Sequence, residues 1–387
     1  MRSSRRLESL PLYVFASLDT KIKALQAQGV DVIKLDIGSP DGPPPDFVID
    51  ALAQSTADPT RHGYAGYVGT PRLRQAMVDY YRARFGVTLN VANEVLPLLG
   101  SKEGIANMAL AWLDPGDLAL VPDPGYPTYA ASAAMAGAQA YCVPLTEANG
   151  WLPDLAAIPA AAADAARLMW LNYPNNPTGA IAPLSFFEDA VAFCREHDIL
   201  LCHDAPYADV CFDGYRAPSL LEVPGAKDVA VEFNSLSKSH NMAGWRVGMA
   251  VGNATAVAAL LQVKSNVDSG IFLGVQDAAI AALTGDQAWI EGRNAEYQRR
   301  RDAMYDVLVN HLGLQCDLPA ASLYLWPKVP AGYTAAEFAD KILLATGVSL
   351  TPGSAFGAHG EGYLRISLGQ TTTRFMAAVE RLREFKF

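Results

Sequence analysis

Cysteine is scarce in this sequence, and its spacing excludes two kinds of small protein. The chain of 387 residues has five cysteines, an odd number, and it contains no CxxC pair. Disulfide-stapled scaffolds and zinc ribbons need paired cysteines at short spacings. We therefore expect reduced thiols that pack as small apolar side chains in a cytoplasmic protein. The cysteines are Cys142, Cys194, Cys202, Cys211 and Cys316.

Positive charge and long apolar runs are also in short supply. Forty acidic residues against 30 basic ones give a formal net charge of −10, which disfavours binding to nucleic acid or to an anionic membrane. The apolar run at 10–18 is short, contains Pro11 and precedes Asp19, so we interpret it as an N-terminal arm rather than a secretion signal. The uncharged stretch at 124–146 is rich in alanine, glycine and tyrosine and does not predict a membrane span.

The common motifs of nucleotide and hydrolase sites are missing. The chain has no GxGxxG, GxxxxGK[ST], HExxH or GxSxG, the usual signatures of dinucleotide sites, P-loops, zinc peptidases and serine hydrolases. Cys202, His203 and Asp204 are adjacent, but neighbours on a strand point to opposite faces and cannot all bind one metal ion. We predict no metal site.

What the sequence does have is enough apolar side chain for a large core. Hydrophobic residues make up 51% of the chain, and the length corresponds to roughly 2.6 average domains. We predict an N-terminal arm that also forms part of a small domain at 1–40, a large domain at 41–282 and a small C-terminal domain at 283–387. Strand candidates of the small domain lie at 322–326, 348–350 and 363–367.

Five short apolar runs, each followed by a polar or Gly/Pro cluster, predict strands buried on both faces, as in a mainly parallel sheet. Segments with helical spacing lie between them, and Ser101 is the expected N-cap of one such helix. This alternation predicts an α/β architecture. The polar clusters should then meet beyond the carboxyl ends of the strands. The runs are 118–121, 168–171, 199–202, 229–233 and 247–251.

One cluster, SLSKSHNMAGWRVG from Ser235, points to a specific chemistry. Lys238 directly follows a predicted buried strand, and partial burial would lower its pKa and leave a neutral amine able to form a Schiff base. Nearby hydroxyls, a cation and a helix N-terminus would favour a phosphate. An aldehyde that carries a phosphate, pyridoxal phosphate, fits this combination. The predicted phosphate-binding residues are Ser101, Lys102, Ser235, Ser237 and Arg246.

Four strings in order resemble the class I/II aminotransferases of PLP fold type I. They are NNPTG from Asn175, DAPYAD from Asp204, SLSKSHNMAGWRVG from Ser235 and YLRISLG from Tyr363, and the similarity runs from Leu10 to the C-terminus. The resemblance implies a large PLP-binding domain, with a mainly parallel seven-stranded sheet between helices, and a smaller α+β domain. It also implies a transaminase that moves an amino group from an L-amino acid to a 2-oxo acid, with 2-oxoglutarate and glutamate as one pair.

The resemblance assigns roles around the cofactor ring. Lys238 looks like the lysine that forms the Schiff base and later moves the substrate proton, and Asp204 looks like the partner of the pyridine nitrogen. Asn176 and Tyr207 would donate hydrogen bonds to the phenolic oxygen of the cofactor. Tyr126 would stack on the ring.

Further roles implied by the resemblance concern the substrate and a second subunit. Arg365 looks like the fork that binds the substrate α-carboxylate, and Gly38 and Asn176 would lie against the substrate. Tyr64 resembles a tyrosine that reaches the phosphate of the neighbouring subunit, which implies a homodimer with shared active sites.

The substrate is less closely defined by the sequence. The strings LPLYVFASLD, GSKEG and NSLSKSHNMAGWRVG are most similar to LL-diaminopimelate aminotransferases and their relatives, which makes Tyr13 and Lys102 candidate substrate contacts. Tyr67 stands where the best-studied members carry a glutamate. Aspartate, alanine or broad-range aminotransferase activity stays open, as do a fold type I C–S β-lyase and a PLP-binding regulatory module without turnover.

Overall fold

The centre of the molecule is a seven-stranded sheet with the order β2-β8-β7-β6-β5-β3-β4. The structure is a computed structural model that describes residues 3–8, 10 and 15–387. In this sheet β8 runs opposite to the other six strands, so the predicted mainly parallel sheet is confirmed. The strands are β1 (Ile33–Lys34), β2 (Val95–Leu98), β3 (Leu118–Asp123), β4 (Gln139–Pro144), β5 (Ala166–Leu171), β6 (Leu200–Asp204), β7 (Ala230–Ser235), β8 (Gly248–Gly252), β9 (Tyr324–Leu325), β10 (Val348–Ser349), β11 (Thr351–Pro352) and β12 (Leu364–Ser367).

The sheet is buried on both faces. In β5, Met169 and Leu171 join one apolar cluster, whereas Leu168 and Trp170 join a second cluster on the opposite face. This alternation explains why the five apolar runs, which correspond to β3, β5, β6, β7 and β8, show no polar face in the sequence.

Helices cover the two faces of the sheet and connect its strands. Packing of α5 against α6 and α10 is extensive on one side, as is packing of α11 against α3 and α4 elsewhere. The helices are α1 (Arg5–Glu8), α2 (Phe15–Ala27), α3 (Asp46–Ala57), α4 (Pro71–Phe85), α5 (Ser101–Trp112), α6 (Thr128–Ala136), α7 (Ala160–Ala165), α8 (Leu184–Glu196), α9 (Leu236–Ser239), α10 (Ala254–Val267), α11 (Leu273–Thr284), α12 (Ala288–Asp306), α13 (Ala335–Thr346) and α14 (Thr372–Arg383).

A second, smaller group of strands is built from both ends of the chain. Strand β12 pairs antiparallel with β11 and β9, while β1 near the N-terminus pairs in parallel with β10. Ile33 and Leu35 lie in the same apolar cluster as Val348 and Ile366. The boundaries at 40/41 and 282/283 stay predictions.

The start of α5 differs from the expectation. Gly100, with φ of 83°, occupies the N-cap position, and Ser101 is the first helical residue. The prediction that Ser101 caps this helix is therefore wrong. The reason is that the chain turns into the helix through a left-handed conformation, which glycine adopts most easily.

The five cysteines are free thiols. None of the helices among residues 3–8, 10 and 15–387 combines the length and the apolar character that a membrane crossing requires.

Candidate active site

The polar clusters that follow the strands meet at one cavity of about 770 Å³. Parallel strands end at the same edge of the sheet, which brings together residues that are distant in the sequence. Most of the predicted site residues line this cavity: Gly38, Ser101, Lys102, Tyr126, Asn176, Asp204, Tyr207, Ser235, Ser237, Lys238, Arg246 and Arg365.

Lys238 lies in α9, immediately after β7. Its Nζ atom donates a hydrogen bond of 2.5 Å to the carbonyl oxygen of Gly38. Burial lowers the pKa of Lys238 to about 8, and the positive charges of Arg365 and Arg246 contribute to the same shift. The amine is thus neutral far more often near neutral pH than an ordinary lysine amine, as a nucleophile for an aldehyde requires.

Another cation, Arg293, fixes the backbone of Lys238. The Arg293 guanidinium, from α12, donates hydrogen bonds to the carbonyl oxygens of Lys238 and Ser239, the latter at 2.5 Å. It also donates to the carbonyl oxygen of Asp209 at 3.0 Å. A positive charge on the last carbonyls of α9 holds this short helix in place. No sequence signal pointed to this role, because Arg293 lies in an ordinary charged helix.

Asp204 ends β6 and is buried at the floor of the cavity. The Tyr129 hydroxyl donates to its Oδ2 atom at 2.8 Å, and its Oδ1 atom has no hydrogen-bond partner in the described structure. Burial raises the pKa of Asp204 to about 6, although the Tyr129 hydrogen bond lowers it. A buried carboxylate with an unsatisfied oxygen suits a cationic ring nitrogen.

An anion-binding corner lies at the N-terminus of α5. Arg246 donates to the Ser237 hydroxyl at 3.4 Å and to the Leu99 carbonyl oxygen at 3.2 Å. A Cβ atom added to Gly100 would overlap the Arg246 guanidinium, so a glycine is needed there for the arginine to approach the helix. The free N–H groups of this helix end, the guanidinium and the hydroxyls of Ser235 and Ser237 favour a phosphate group.

Arg365 lies on β12 with its guanidinium buried between two aromatic rings, at 4.5 Å from the Tyr324 ring and 4.6 Å from the Phe356 ring. It donates hydrogen bonds to Asn176 Oδ1 at 2.9 Å and to the carbonyl oxygen of Asp36 at 2.6 Å. This packing holds the planar fork in one orientation, as bidentate binding of a carboxylate needs.

Two aromatic residues that the sequence analysis did not single out complete the cavity wall. Tyr324 shares a hydrogen bond of 2.6 Å with the Tyr207 hydroxyl, and Phe356 lies on the other side of Arg365. Tyr324 occurs in an apolar run whose pattern predicts only core packing, and Phe356 stands in a Gly- and Ala-containing segment that carries no functional signal. Elsewhere on the wall, the Lys102 ammonium lies 5.8 Å from the centre of the Tyr126 ring.

Two of the predicted residues are not placed in the cavity by this structure. Tyr64 is 92% exposed and does not line it, so its role in a neighbouring subunit stays a prediction. Tyr13 lies outside the described residues. No group of three or more His, Cys, Asp or Glu side chains in the described part of the chain is arranged to hold a metal ion.

Comparisons with known proteins find relatives over nearly the whole chain. Residues 30–382 match the family model of aminotransferase class I and II. LL-diaminopimelate aminotransferase from Moorella thermoacetica is 50% identical over 99% of this chain and 98% of its own length. The enzyme of the same name from Desulforudis audaxviator is 52% identical over 98% of this chain and 97% of its own.

Solved structures are similar over nearly the full length as well. Substrate-bound BacF from Bacillus subtilis superposes with a TM-score of 0.94 at 37% identity, covering 99% of this chain and 98% of its own. A probable N-succinyldiaminopimelate aminotransferase from Thermus thermophilus has a TM-score of 0.91 at 38% identity, covering 96% of this chain and 99% of its own.

Proposed function

The chain belongs to the class I and II aminotransferases, and from that premise we propose that it transfers an amino group from LL-diaminopimelate to 2-oxoglutarate. The protein is a PLP-dependent transaminase of fold type I. The observation that carries the substrate is the 50% identity, over 99% of this chain, to an enzyme named for LL-diaminopimelate.

The described side chains fit pyridoxal phosphate. Lys238 would hold the cofactor covalently, Asp204 would pair with its ring nitrogen, and the corner formed by Arg246 and the α5 N-terminus would hold its phosphate. Tyr207 and Asn176 would donate hydrogen bonds to its phenolic oxygen, a role that the Asn176 amide can fill because Arg365 engages its oxygen. When bound, the cofactor supplies an aldehyde for the substrate amine and a ring that accepts electrons from the substrate Cα.

The remaining steps belong to the protein. Arg365 would bind the substrate α-carboxylate in its fork and so orient the Cα–H bond. Lys238 Nζ, with its lowered pKa, would take the proton from the substrate Cα and move it to the cofactor carbon that carries the aldehyde, because a general base works best when its pKa is near the working pH. Asp204, as an anion, would keep the proton on the ring nitrogen.

A cytoplasmic homodimer with shared sites is also part of this proposal. Tyr64, Val267 and Phe272 are exposed apolar side chains, and large exposed side chains of this kind suit burial against a second copy. The five free thiols suit a reducing compartment.

The test is a half-reaction assay with the purified holoenzyme and single amino acids. LL-diaminopimelate and L-glutamate should each convert the bound cofactor to its amine form, and 2-oxoglutarate should restore it. L-Aspartate and L-alanine are the alternative donors. If LL-diaminopimelate is inert while either of these reacts, the substrate assignment is wrong. Release of pyruvate and ammonia from L-cysteine conjugates, without the amine form, would instead indicate a C–S β-lyase.

A further inference from the structure

A buried carboxylate without a complete set of partners lines the active-site cavity. Asp36 follows β1 and is 4% exposed. The Ser349 hydroxyl donates to its Oδ2 atom at 3.1 Å, but its Oδ1 atom has no hydrogen-bond partner in the described structure. A buried carboxylate oxygen left without a donor destabilises the fold unless a ligand supplies one.

The charges on the cavity wall show which ligand chemistry would satisfy Asp36. Three aspartates line the cavity: Asp19, Asp36 and Asp204. Asp19 is already paired with Lys23 at 2.7 Å and with Lys34 at 3.2 Å, and Asp204 is suited to the cofactor ring. Asp36 makes no salt bridge within the described part of the chain. Burial also raises its pKa, although the positive charges of Lys34 and Arg365 lower it, so these two cations do not fully offset the loss of solvent around the carboxylate.

The position of Asp36 links it to the bound substrate. The backbone carbonyl oxygen of Asp36 accepts the 2.6 Å hydrogen bond from Arg365. Asp36 is therefore in direct contact with the guanidinium that is proposed to hold the α-carboxylate. Lys34 lies two residues earlier in the extended segment and therefore on the same side as Asp36. A substrate side chain that extends from Arg365 along this segment would meet an anion and then a cation.

We propose that Asp36 accepts a hydrogen bond from an ammonium group on the substrate side chain, so that the site selects amino acids with a second ammonium. The inference deepens the proposed function and rests on it in one respect, since LL-diaminopimelate carries such a group. Lys34, which already pairs with Asp19 at 3.2 Å, is then the cation on this wall that a second carboxylate at the same end of the substrate would also meet.

The experiment compares two pairs of substrates. In each pair, one member carries a second ammonium that the other member lacks. LL-Diaminopimelate is paired with L-2-aminopimelate, and L-lysine with L-norleucine, in the wild-type holoenzyme and in Asp36→Asn. We expect the kcat/KM ratio within each pair to favour the ammonium in the wild type. In Asp36→Asn that ratio should fall by about 10- to 100-fold, as for the loss of a charged hydrogen bond, whereas kcat/KM for L-glutamate, which has no second ammonium, should change by a much smaller factor.

A binding measurement supplies a readout that does not depend on turnover. In a Lys238→Ala background, titration calorimetry should show the Kd of LL-diaminopimelate weakened about 10- to 100-fold by Asp36→Asn, with a much smaller change in the Kd of L-2-aminopimelate. Asp340→Asn is the matched control, because it removes an exposed carboxylate that pairs with Lys21 and does not line the cavity. It should leave every ratio as in the wild type.

The outcomes separate this inference from the proposed function. If the wild type converts L-lysine but not LL-diaminopimelate, and Asp36→Asn removes its preference over L-norleucine, the substrate assignment fails and the role of Asp36 stands. A wild type that prefers the partner without the ammonium in both pairs overturns the inference. An equal loss for LL-diaminopimelate and L-glutamate in Asp36→Asn also overturns it, since Asp36 would then act only through Arg365.

Discussion

The side-chain nitrogen of Lys238 lies 2.5 Å from the carbonyl oxygen of Gly38, 200 residues earlier in the chain. The segment that follows β1 therefore forms part of the wall around the reactive amine. This contact brings residues of the small strand group to the end of a central strand of the large sheet. The chemistry at Lys238 therefore depends on the small strand group and on the large sheet.

The lowered pKa of Lys238 predicts a specific pH dependence. The amine reacts only when neutral, so covalent incorporation of pyridoxal phosphate into the cofactor-free protein should accelerate as pH rises through about 8, instead of the ordinary 10.5. Borohydride trapping followed by mass spectrometry at each pH measures this rate. Lys238→Ala should show no label at this position. A midpoint that stays above 10 would contradict the effect of burial.

Gly38→Ala should disrupt the cavity wall. An added Cβ atom would overlap the Tyr324 hydroxyl, which must then move away from Tyr207 and Arg365. We expect a loss of about 1–3 kcal/mol in the free energy of unfolding and a lower kcat/KM for every amino acid. Urea denaturation and steady-state kinetics measure the two effects. Gly292→Ala is the matched control, since a Cβ there meets open space within α12, and its activity should match the wild type.

Asp204→Asn should stabilise the cofactor-free protein while it impairs transamination. The pKa of Asp204 rises from 3.8 to about 6 on folding, so the carboxylate loses its proton more readily in the unfolded chain. Stability therefore falls as pH rises between these values, and above pH 6 the full cost, at most about 3 kcal/mol, is present. Replacing the carboxylate with a neutral amide should recover part of this lost stability at neutral pH.

The cofactor should reverse that difference. A positive ring nitrogen would pair with Asp204 but not with an asparagine, so pyridoxal phosphate should raise the Tm of the wild type more than that of Asp204→Asn. Thermal unfolding with and without cofactor measures this. Equal shifts in both proteins would argue against the pairing.

Shared active sites predict complementation between two impaired variants. Tyr64→Ala would damage the site of the neighbouring subunit, whereas Lys238→Ala damages only its own. A mixed dimer then contains one site with both residues intact. We expect denatured and refolded mixtures to recover up to about a quarter of wild-type activity from statistical pairing, which a kinetic assay across mixing ratios detects. Activity equal to the average of the separate variants would show that Tyr64 does not act across subunits.

The central sheet was largely predictable because strands buried on both faces leave uninterrupted apolar runs. Two of its strands were not predicted. Strand β4 is an edge strand with mostly exposed or half-buried residues, and β2 is a four-residue edge strand that contains Pro97, a residue that weakens a strand pattern. The reversed direction of β8 could not be predicted from the sequence either, since a buried antiparallel strand has the same composition as a buried parallel one.

The cavity-lining residues with strong chemical signals were found from the sequence, whereas their supports were not. Lys238 and Asp204 follow or end buried strands, and such positions stand out. Tyr324, Phe356 and Arg293 act through packing and hydrogen bonds to residues far away in the chain. Asp36 resembles any polar residue in a short extended segment, and its missing partner is visible only once the rest of the cavity wall is placed beside it.

The pairing of β1 with β10 has a consequence for how the protein folds during its synthesis. Asp36 and Thr351 are 315 residues apart in the chain, yet the Thr351 hydroxyl donates a hydrogen bond to the carbonyl oxygen of Asp36, which lines the cavity. Such distant contacts form late in folding. During synthesis, the large sheet can be complete while the ribosome still holds the residues that close the cavity. The nascent chain should therefore bind its cofactor tightly only after its last strands have left the ribosomal exit tunnel.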